Sequence, residues 1–287
     1  MDYKKPAEVA GAMIQAGIDK TRMSTTDMIV KGILSGAILG FGTTFAFTAT
    51  VQTSLPLIGA AIFPACFIIV VLLGYELVTG NFAVMSLSWF AGQISLKQLG
   101  KNWAIVYLAN LAGGQLYAGL FWASLTQFGN VDGGALGKMI SGVAVAKTTG
   151  YGQFGATGML TVFVKGILCN WMVTLGVVMA MTSSSTLGKI LAAWLPIFIF
   201  FAQGFEHAVV NMFVIPAGIF MGAPVSAGQW WWLNQVPVTL GNIVGGVIFT
   251  ALTLYLMHGK RRKEIPAATA GSSSRAEVAT ESAPALQ

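Results

Sequence analysis

Gly74-Tyr75-Glu76-Leu77-Val78-Thr79-Gly80-Asn81 and Gly204-Phe205-Glu206-His207-Ala208-Val209-Val210-Asn211 are two versions of one pattern: glycine, aromatic residue, glutamate, four residues, asparagine. Each interrupts a long apolar stretch. An ionisable group in hydrocarbon is costly, so such residues normally face a partner, a cavity or a substrate path. Glu76 and Glu206 are the carboxylates inside apolar spans, and His207 is one of 2 histidines in the chain. Two such insertions at matching places point to a transport site.

The composition around them sets the class. Of 287 residues, 55% are hydrophobic and 9% charged, with a mean hydropathy of +0.73. A soluble domain carries roughly 25% charged residues, so the chain reads as an all-α integral membrane protein. Apolar stretches at 29–51, 57–91, 103–128, 159–182, 190–222 and 234–258 can each cross about 30 Å of hydrocarbon as a helix. The second and fifth exceed one ordinary span, and both hold the motif. Residues 1–28 are polar, with Val9, Met13, Ala16 and Ile18 at helical spacing. They predict an amphipathic helix over 6–22, lying on the membrane surface or on neighbouring subunits. The expected organisation is a cytoplasmic N-terminal helix in 1–28 and a six-span pore domain in 29–258. A basic, then disordered, cytoplasmic tail follows in 259–287.

Cations set the expected orientation. Lys4, Lys5, Lys20, Arg22 and Lys31 precede the first span, and Lys97 and Lys101 lie between the second and third. Lys189 lies between the fourth and fifth, and Lys260, Arg261, Arg262 and Lys263 follow the sixth. The opposite side receives Lys138, Lys147 and Lys165. Positive residues stay inside, so both termini are expected in the cytoplasm; the expected location is a bacterial cytoplasmic membrane. The net charge of +6 is then a topology signal rather than a sign of nucleic-acid binding. Cys66 and Cys169 fall inside apolar spans, without metal-ligand spacing, and neither a metal nor another cofactor is expected. Trp230, Trp231 and Trp232 read as interfacial anchors.

The motif is one of three echoes. Lys31-Gly32-Ile33-Leu34 recurs as Lys165-Gly166-Ile167-Leu168, and Asn110-Leu111-Ala112-Gly113-Gly114 recurs as Asn242-Ile243-Val244-Gly245-Gly246. The order is kept and the separation is nearly constant. Three spans per half is an odd number, so the second copy must cross in the opposite sense, a 3+3 inverted repeat. The broken second and fifth spans then face one another near the midplane. Gly74, Gly80 and Gly204 supply the backbone freedom that a break needs.

These residues resemble the formate/nitrite transporter family. The likeness runs over 6–258 and rests on Glu76 to Asn81, Lys165-Gly166-Ile167-Leu168-Cys169-Asn170-Trp171, Gly204 to Asn211 and Leu240-Gly241-Asn242-Ile243. It implies an aquaporin-like fold, a homopentamer with one pore per protomer, and a small monovalent anion as cargo: formate first, nitrite next, with hydrosulfide or short-chain monocarboxylates as further alternatives. It also implies that His207 is the central histidine on the path and that Thr79 is the loop threonine hydrogen-bonded near it. By the same resemblance Leu77 and Val78 match loop positions beside the cytoplasmic constriction, Phe200 matches an aromatic constriction, and Asn170 and Asn211 lie near the pore. Val78 stands where phenylalanine is common in formate channels, which changes the expected size of that gate.

The physical problem is to move an anion across a low-dielectric barrier. Protonating it removes most of the cost, and histidine titrates nearest cytoplasmic pH. The expected route is a vestibule, His207 at the midplane, then passage as the neutral acid or with a closely coupled proton. The proton comes either from His207 or from water. Lys31 and Lys165 are expected either to gather anions at the two vestibules or to snorkel to the interface. Glu76 and Glu206 are expected to hold the helix breaks. An intramembrane enzyme using His207 and Glu206 would need a nucleophile or metal set, and the sequence offers none.

Overall fold

The computed structural model describes residues 2–259 of the chain. The cationic cluster at 260–263 and nearly all of the expected tail lie outside the described residues. The described residues are helical almost throughout. In chain order the helices are α1 Pro6–Thr21, α2 Thr25–Thr53, α3 Pro56–Ile62, α4 Pro64–Leu72, α5 Val78–Phe90, α6 Leu96–Leu125, α7 Gly134–Lys147, α8 Thr149–Gly152, α9 Gly155–Ala180, α10 Thr186–Ala202 and α11 Ala208–Phe220. A last helix, α12, runs over Ala227–His258 and contains π-helical turns at Trp231–Gln235 and Val247–Leu252. Serines start several of them: Ser24, Ser95 and Ser185 each accept a backbone N–H from the first turn of α2, α6 and α10.

Four helices, α2, α6, α9 and α12, are long and apolar enough to cross a membrane. Two further apolar stretches are interrupted in their middle, between α4 and α5 and between α10 and α11. Both interruptions close the same way. Tyr75 N–H donates to Val70 O and Gly74 N–H to Val71 O; Phe205 N–H donates to Phe200 O and Gly204 N–H to Phe201 O. These paired bonds are the helix stop that needs a left-handed residue. Gly74 and Gly204 supply it, with φ of 64° and 63°. An added Cβ at either would meet open space, so backbone angle, not crowding, asks for glycine. Gly80 differs from the expectation: it lies inside α5 with an ordinary helical φ, packed near Val177.

The chain then extends for a few residues and starts a new helix at depth. Leu77 caps α5 at φ −117°, ψ 115°, and His207 caps α11 at φ −107°, ψ 118°. Val78 and Thr79, expected in a loop, are the first two residues of α5. Nearly every residue of α5 and α11 is buried, because α2, α6, α9 and α12 pack around them. Gly32 and Gly36 let α2 approach α6 closely: a Cβ on Gly36 would stand on the Asn110 carbonyl.

Two elements depart from the sequence reading. The apolar face of α1, expected on the membrane surface or on neighbouring subunits, packs within its own chain: Met13 and Ile14 meet Ala83, Val84 and Leu87 of α5 and Ala251 of α12. Five buried residues on that face explain why: α5 offers it an apolar surface within the same chain. Helix α7, between the third and fourth apolar stretches, was not expected at all. It packs on α11 through Ile140 and Ala144. Trp230 is also buried, its Nε1–H donating to Gln235 Oε1 at 3.3 Å, while Trp232 remains exposed.

Candidate functional site

Each interruption is held by one asparagine from a neighbouring helix. Asn110 on α6 accepts the Val78 N–H at 2.9 Å and donates to Gly32 O at 2.9 Å and Glu76 O at 2.8 Å. Asn242 on α12 accepts the Ala208 N–H at 2.8 Å and donates to Gly166 O at 2.8 Å and Glu206 O at 2.9 Å. A helix that starts away from water leaves backbone groups without partners. One carboxamide, with two donors and an acceptor, satisfies three of them at once. The sequence showed both asparagines as repeat echoes; their task became visible only with the geometry.

The two motif carboxylates are each 1% exposed and each paired with a lysine from a different element. Glu76 meets Lys20 of α1 and accepts from Asn81 Nδ2 at 2.8 Å. Glu206 meets Lys147 at the end of α7 at 2.8 Å and accepts from Asn211 Nδ2 at 2.8 Å, Tyr151 Oη at 3.1 Å and Asn234 Nδ2 at 3.3 Å. Sequence reasoning missed Lys20 and Lys147 as partners. No spacing marked them: Lys20 lies 11 residues ahead of Lys31, and Lys147 lies 18 ahead of Lys165. Lys165 donates to Tyr151 Oη at 3.0 Å, so it joins the Glu206 group through that hydroxyl. Lys31 has no such group; among the described residues it forms no ion pair.

His207 sits where the two breaks meet. It is 3% exposed, and its Nδ1 accepts the Val210 N–H at 3.1 Å. In the neutral ring the proton is then on Nε2, which lies 2.9 Å from Thr79 Oγ1. The imidazole therefore donates to the threonine oxygen and leaves the threonine hydroxyl hydrogen for another acceptor. Phe200 stacks beside the imidazole, centroids 5.8 Å apart and planes 22° apart. Phe63 meets Phe200 edge-on at 5.8 Å.

The remaining expected residues surround this centre. Asn170 on α9 donates to Thr79 O at 3.0 Å and to Asn242 O at 2.7 Å, tying the His207–Thr79 pair to the second asparagine bracket. Its Oδ1 and that of Asn211 are buried without a partner among the described residues. Asn211 itself spans Glu206 and Asn234. Leu77 borders a cavity of about 230 Å³ whose walls include Lys20, Phe67, Tyr75, Asn81 and Val84. Val78 is fully buried beside it and does not line that cavity. The arrangement is a buried centre with one imidazole, one hydroxyl and apolar rings, and Leu77 beside it borders a chamber with a lysine in its wall.

Comparison with known proteins gives this arrangement a context. The family described as Formate/nitrite transporter matches residues 7–256. The chain is 38% identical over 276 residues to a Bacillus subtilis protein named uncharacterized transporter YrhG, covering 92% of this chain and 98% of the relative. It is 32% identical over 278 residues to the formate channel BtFdhC of Bacillus thuringiensis, covering 92% and 100%. A solved structure of a pentameric formate channel with formate bound superposes with a TM-score of 0.67 at 28% identity, covering 81% of this chain and 97% of that one.

Proposed function

Because the chain belongs to the formate/nitrite transporter family, an integral membrane family of transporters rather than enzymes, we propose that it conducts a small monovalent anion, formate before others, past His207. The observation that carries this reading is the Thr79–His207 contact at the meeting point of two helix breaks. The ring donates through Nε2 to Thr79, and the Thr79 hydroxyl hydrogen is available to a carboxylate arriving between Leu77 and Phe200. The rings of Phe200 and Phe63 make a bare charge expensive there. A proton travelling with the anion lowers that barrier. A donor at Nε2 supplies it directly, or water supplies it while the imidazole sets the local potential.

The same reading organises the rest of the chain. The four long helices and two interrupted ones make six spans, related as a 3+3 inverted repeat by the paired asparagine, glutamate and lysine sets. Both termini face the cytoplasm, with 1–28 on that side, 29–258 forming the pore domain and 259–287 a cytoplasmic tail. The subunits form a homopentamer in a bacterial cytoplasmic membrane, a reading supported by the likeness to the pentameric formate channel. Lys165, hydrogen-bonded to a tyrosine and, among the described residues, paired with no carboxylate of its own, attracts anions at one mouth; Lys31 acts at the other.

Flux into liposomes containing the purified protein tests this. Formate uptake should rise as pH falls from about 8 to 5, and His207→Asn should change that profile. Nitrite moving faster than formate would reassign the cargo within the family. A pH profile unchanged in His207→Asn would leave water as the proton source. No flux of either anion would overturn the reading.

A further inference from the structure

A second cavity, also about 230 Å³, lies beneath the N-terminal half of α1 and is lined by Lys4, Ala12, Val71, Ala180, Ser183 and Lys189 among others. Three side chains, Val71, Val177 and Met181, border both this chamber and the one that reaches Leu77. The two spaces are therefore neighbours across an apolar partition. Helix α1 covers both: Ala12 faces the outer chamber, and Ala16 and Lys20 face the inner one.

Around the outer chamber two cations outnumber one carboxylate. Lys4 is exposed and Lys189 half-buried, and neither forms an ion pair among the described residues. The carboxylate, Asp2, keeps its charge and is turned onto the loop at 183–185 rather than onto either lysine. Its oxygens accept from Ser183 Oγ at 2.7 Å, Ser184 N–H at 2.6 Å, Ser184 Oγ at 2.8 Å and Ser185 N–H at 2.7 Å. The chain around Lys4 is fixed as well, because Lys4 N–H donates to Thr182 O at 2.7 Å. Two ammonium groups held at the rim of a small, apolar-walled chamber raise the local concentration of anions. The inner chamber holds a third, Lys20, but that one is neutralised by Glu76.

We propose that the Lys4–Lys189 chamber is an anion-capture site and side portal, admitting small monovalent anions under α1 and past Val71 and Met181 into the chamber at Leu77. The proposal rests on the transport reading above for what the portal serves. A capture site placed beside the axis, rather than on it, lets anions reach the pore while α1 stays docked.

Thiol labelling separates the portal from transport itself. Val71→Cys places a reactive group on the partition, while the native Cys66 and Cys169 are buried and give the background in the parent protein. The full-length protein in phosphatidylcholine vesicles is treated with an anionic methanethiosulfonate and with a neutral one of similar size. Adding Lys4→Gln and Lys189→Gln should lower the ratio of anionic to neutral labelling rates by about three- to ten-fold, and high salt should erase the difference. In the same double variant without the cysteine, formate uptake should fall several-fold at low substrate and recover at saturation. Equal ratios with and without the lysines, or no labelling by either reagent, would overturn the portal. So would unchanged low-substrate uptake, or protection by added phosphatidylglycerol, which would give the lysines to a lipid headgroup. A protein that labels as expected but moves no anion would defeat the transport reading and leave the capture site standing.

Discussion

Thr79 Oγ1 and His207 Nε2 lie 2.9 Å apart although 128 residues separate them in the chain. The contact joins the first turn of α5 to the cap of α11, so a single hydrogen bond spans the meeting point of the two interrupted segments. Thr79→Val keeps the shape and removes the acceptor. The buried Nε2–H is then unpaired, which costs about 1–3 kcal/mol, and the anion loses its hydroxyl donor. The melting temperature should fall modestly and formate flux more steeply, with Thr79→Ser restoring both. Wild-type flux in Thr79→Val would remove the hydroxyl from the path.

Asn110 and Asn242 each satisfy three backbone groups in a fully buried setting. Replacing either by alanine strands three polar groups, worth about 1–3 kcal/mol apiece. A loss of about 3–9 kcal/mol is expected, enough to prevent recovery of folded protein in detergent. Asn→Asp is the sharper control: it keeps the volume but turns the donor toward two carbonyl oxygens into an acceptor. Size-exclusion profiles of Asn242→Asp as good as wild type would show that the bracket is dispensable.

The motifs at 74–81 and 204–211 made the helix breaks legible, since a glutamate in an apolar run is anomalous and glycine is the usual left-handed stop. His207 stood out because its counterpart in the first copy is Leu77. The lysine partners were not legible. Lys20 and Lys147 look like ordinary flanking cations, and only the docking of α1 and α7 brings them to Glu76 and Glu206. Helix α7 escaped notice because glycines at 134, 137 and 142 dilute its apolar pattern. Lys31 and Lys165 are equivalent in the repeat, yet Lys165 is tied into a tyrosine–carboxylate group while Lys31 forms no ion pair among the described residues.

Gly74 and Gly204 predict a conformational rather than a packing effect. Both have positive φ and open space where a Cβ would go. Alanine at either should cost about 1–2 kcal/mol, the penalty of the left-handed region for a residue with a Cβ, and asparagine should cost less. Thermal melts of the four single variants check this. Equal losses for alanine and asparagine would point to some other strain.

The two ion pairs should respond unequally. Removing one partner of a buried pair leaves an uncompensated charge and costs about 3–5 kcal/mol. After Lys147→Met, Glu206 keeps donors from Asn211, Asn234 and Tyr151. After Lys20→Met, Glu76 keeps only Asn81 among the side-chain donors described. Lys20→Met should therefore be the more damaging, and adding Glu76→Gln should recover part of the loss. Comparing the two double-mutant cycles by melting temperature settles the order, and a larger loss at Lys147 would contradict it.

Asp2 gives the N-terminal segment a pH dependence of known sign. Hydrogen bonds from the Ser183 and Ser184 hydroxyls and from the Ser185 and Ser184 amides lower its carboxyl from 3.8 to about 2. A depressed carboxylate stabilises the structure above its unfolded value, and that contribution is lost as pH falls through the folded one. The attachment of residues 2–4 to the loop at 182–185 is therefore complete above pH 4 and loosens toward pH 2. Hydrogen exchange at the Ser184 and Ser185 amides, corrected for the intrinsic pH dependence, should show protection fading across that window. Asp2→Asn should exchange faster at pH 5 and lose the dependence. Protection unchanged in Asp2→Asn would show that the Lys4–Thr182 backbone bond holds the segment alone.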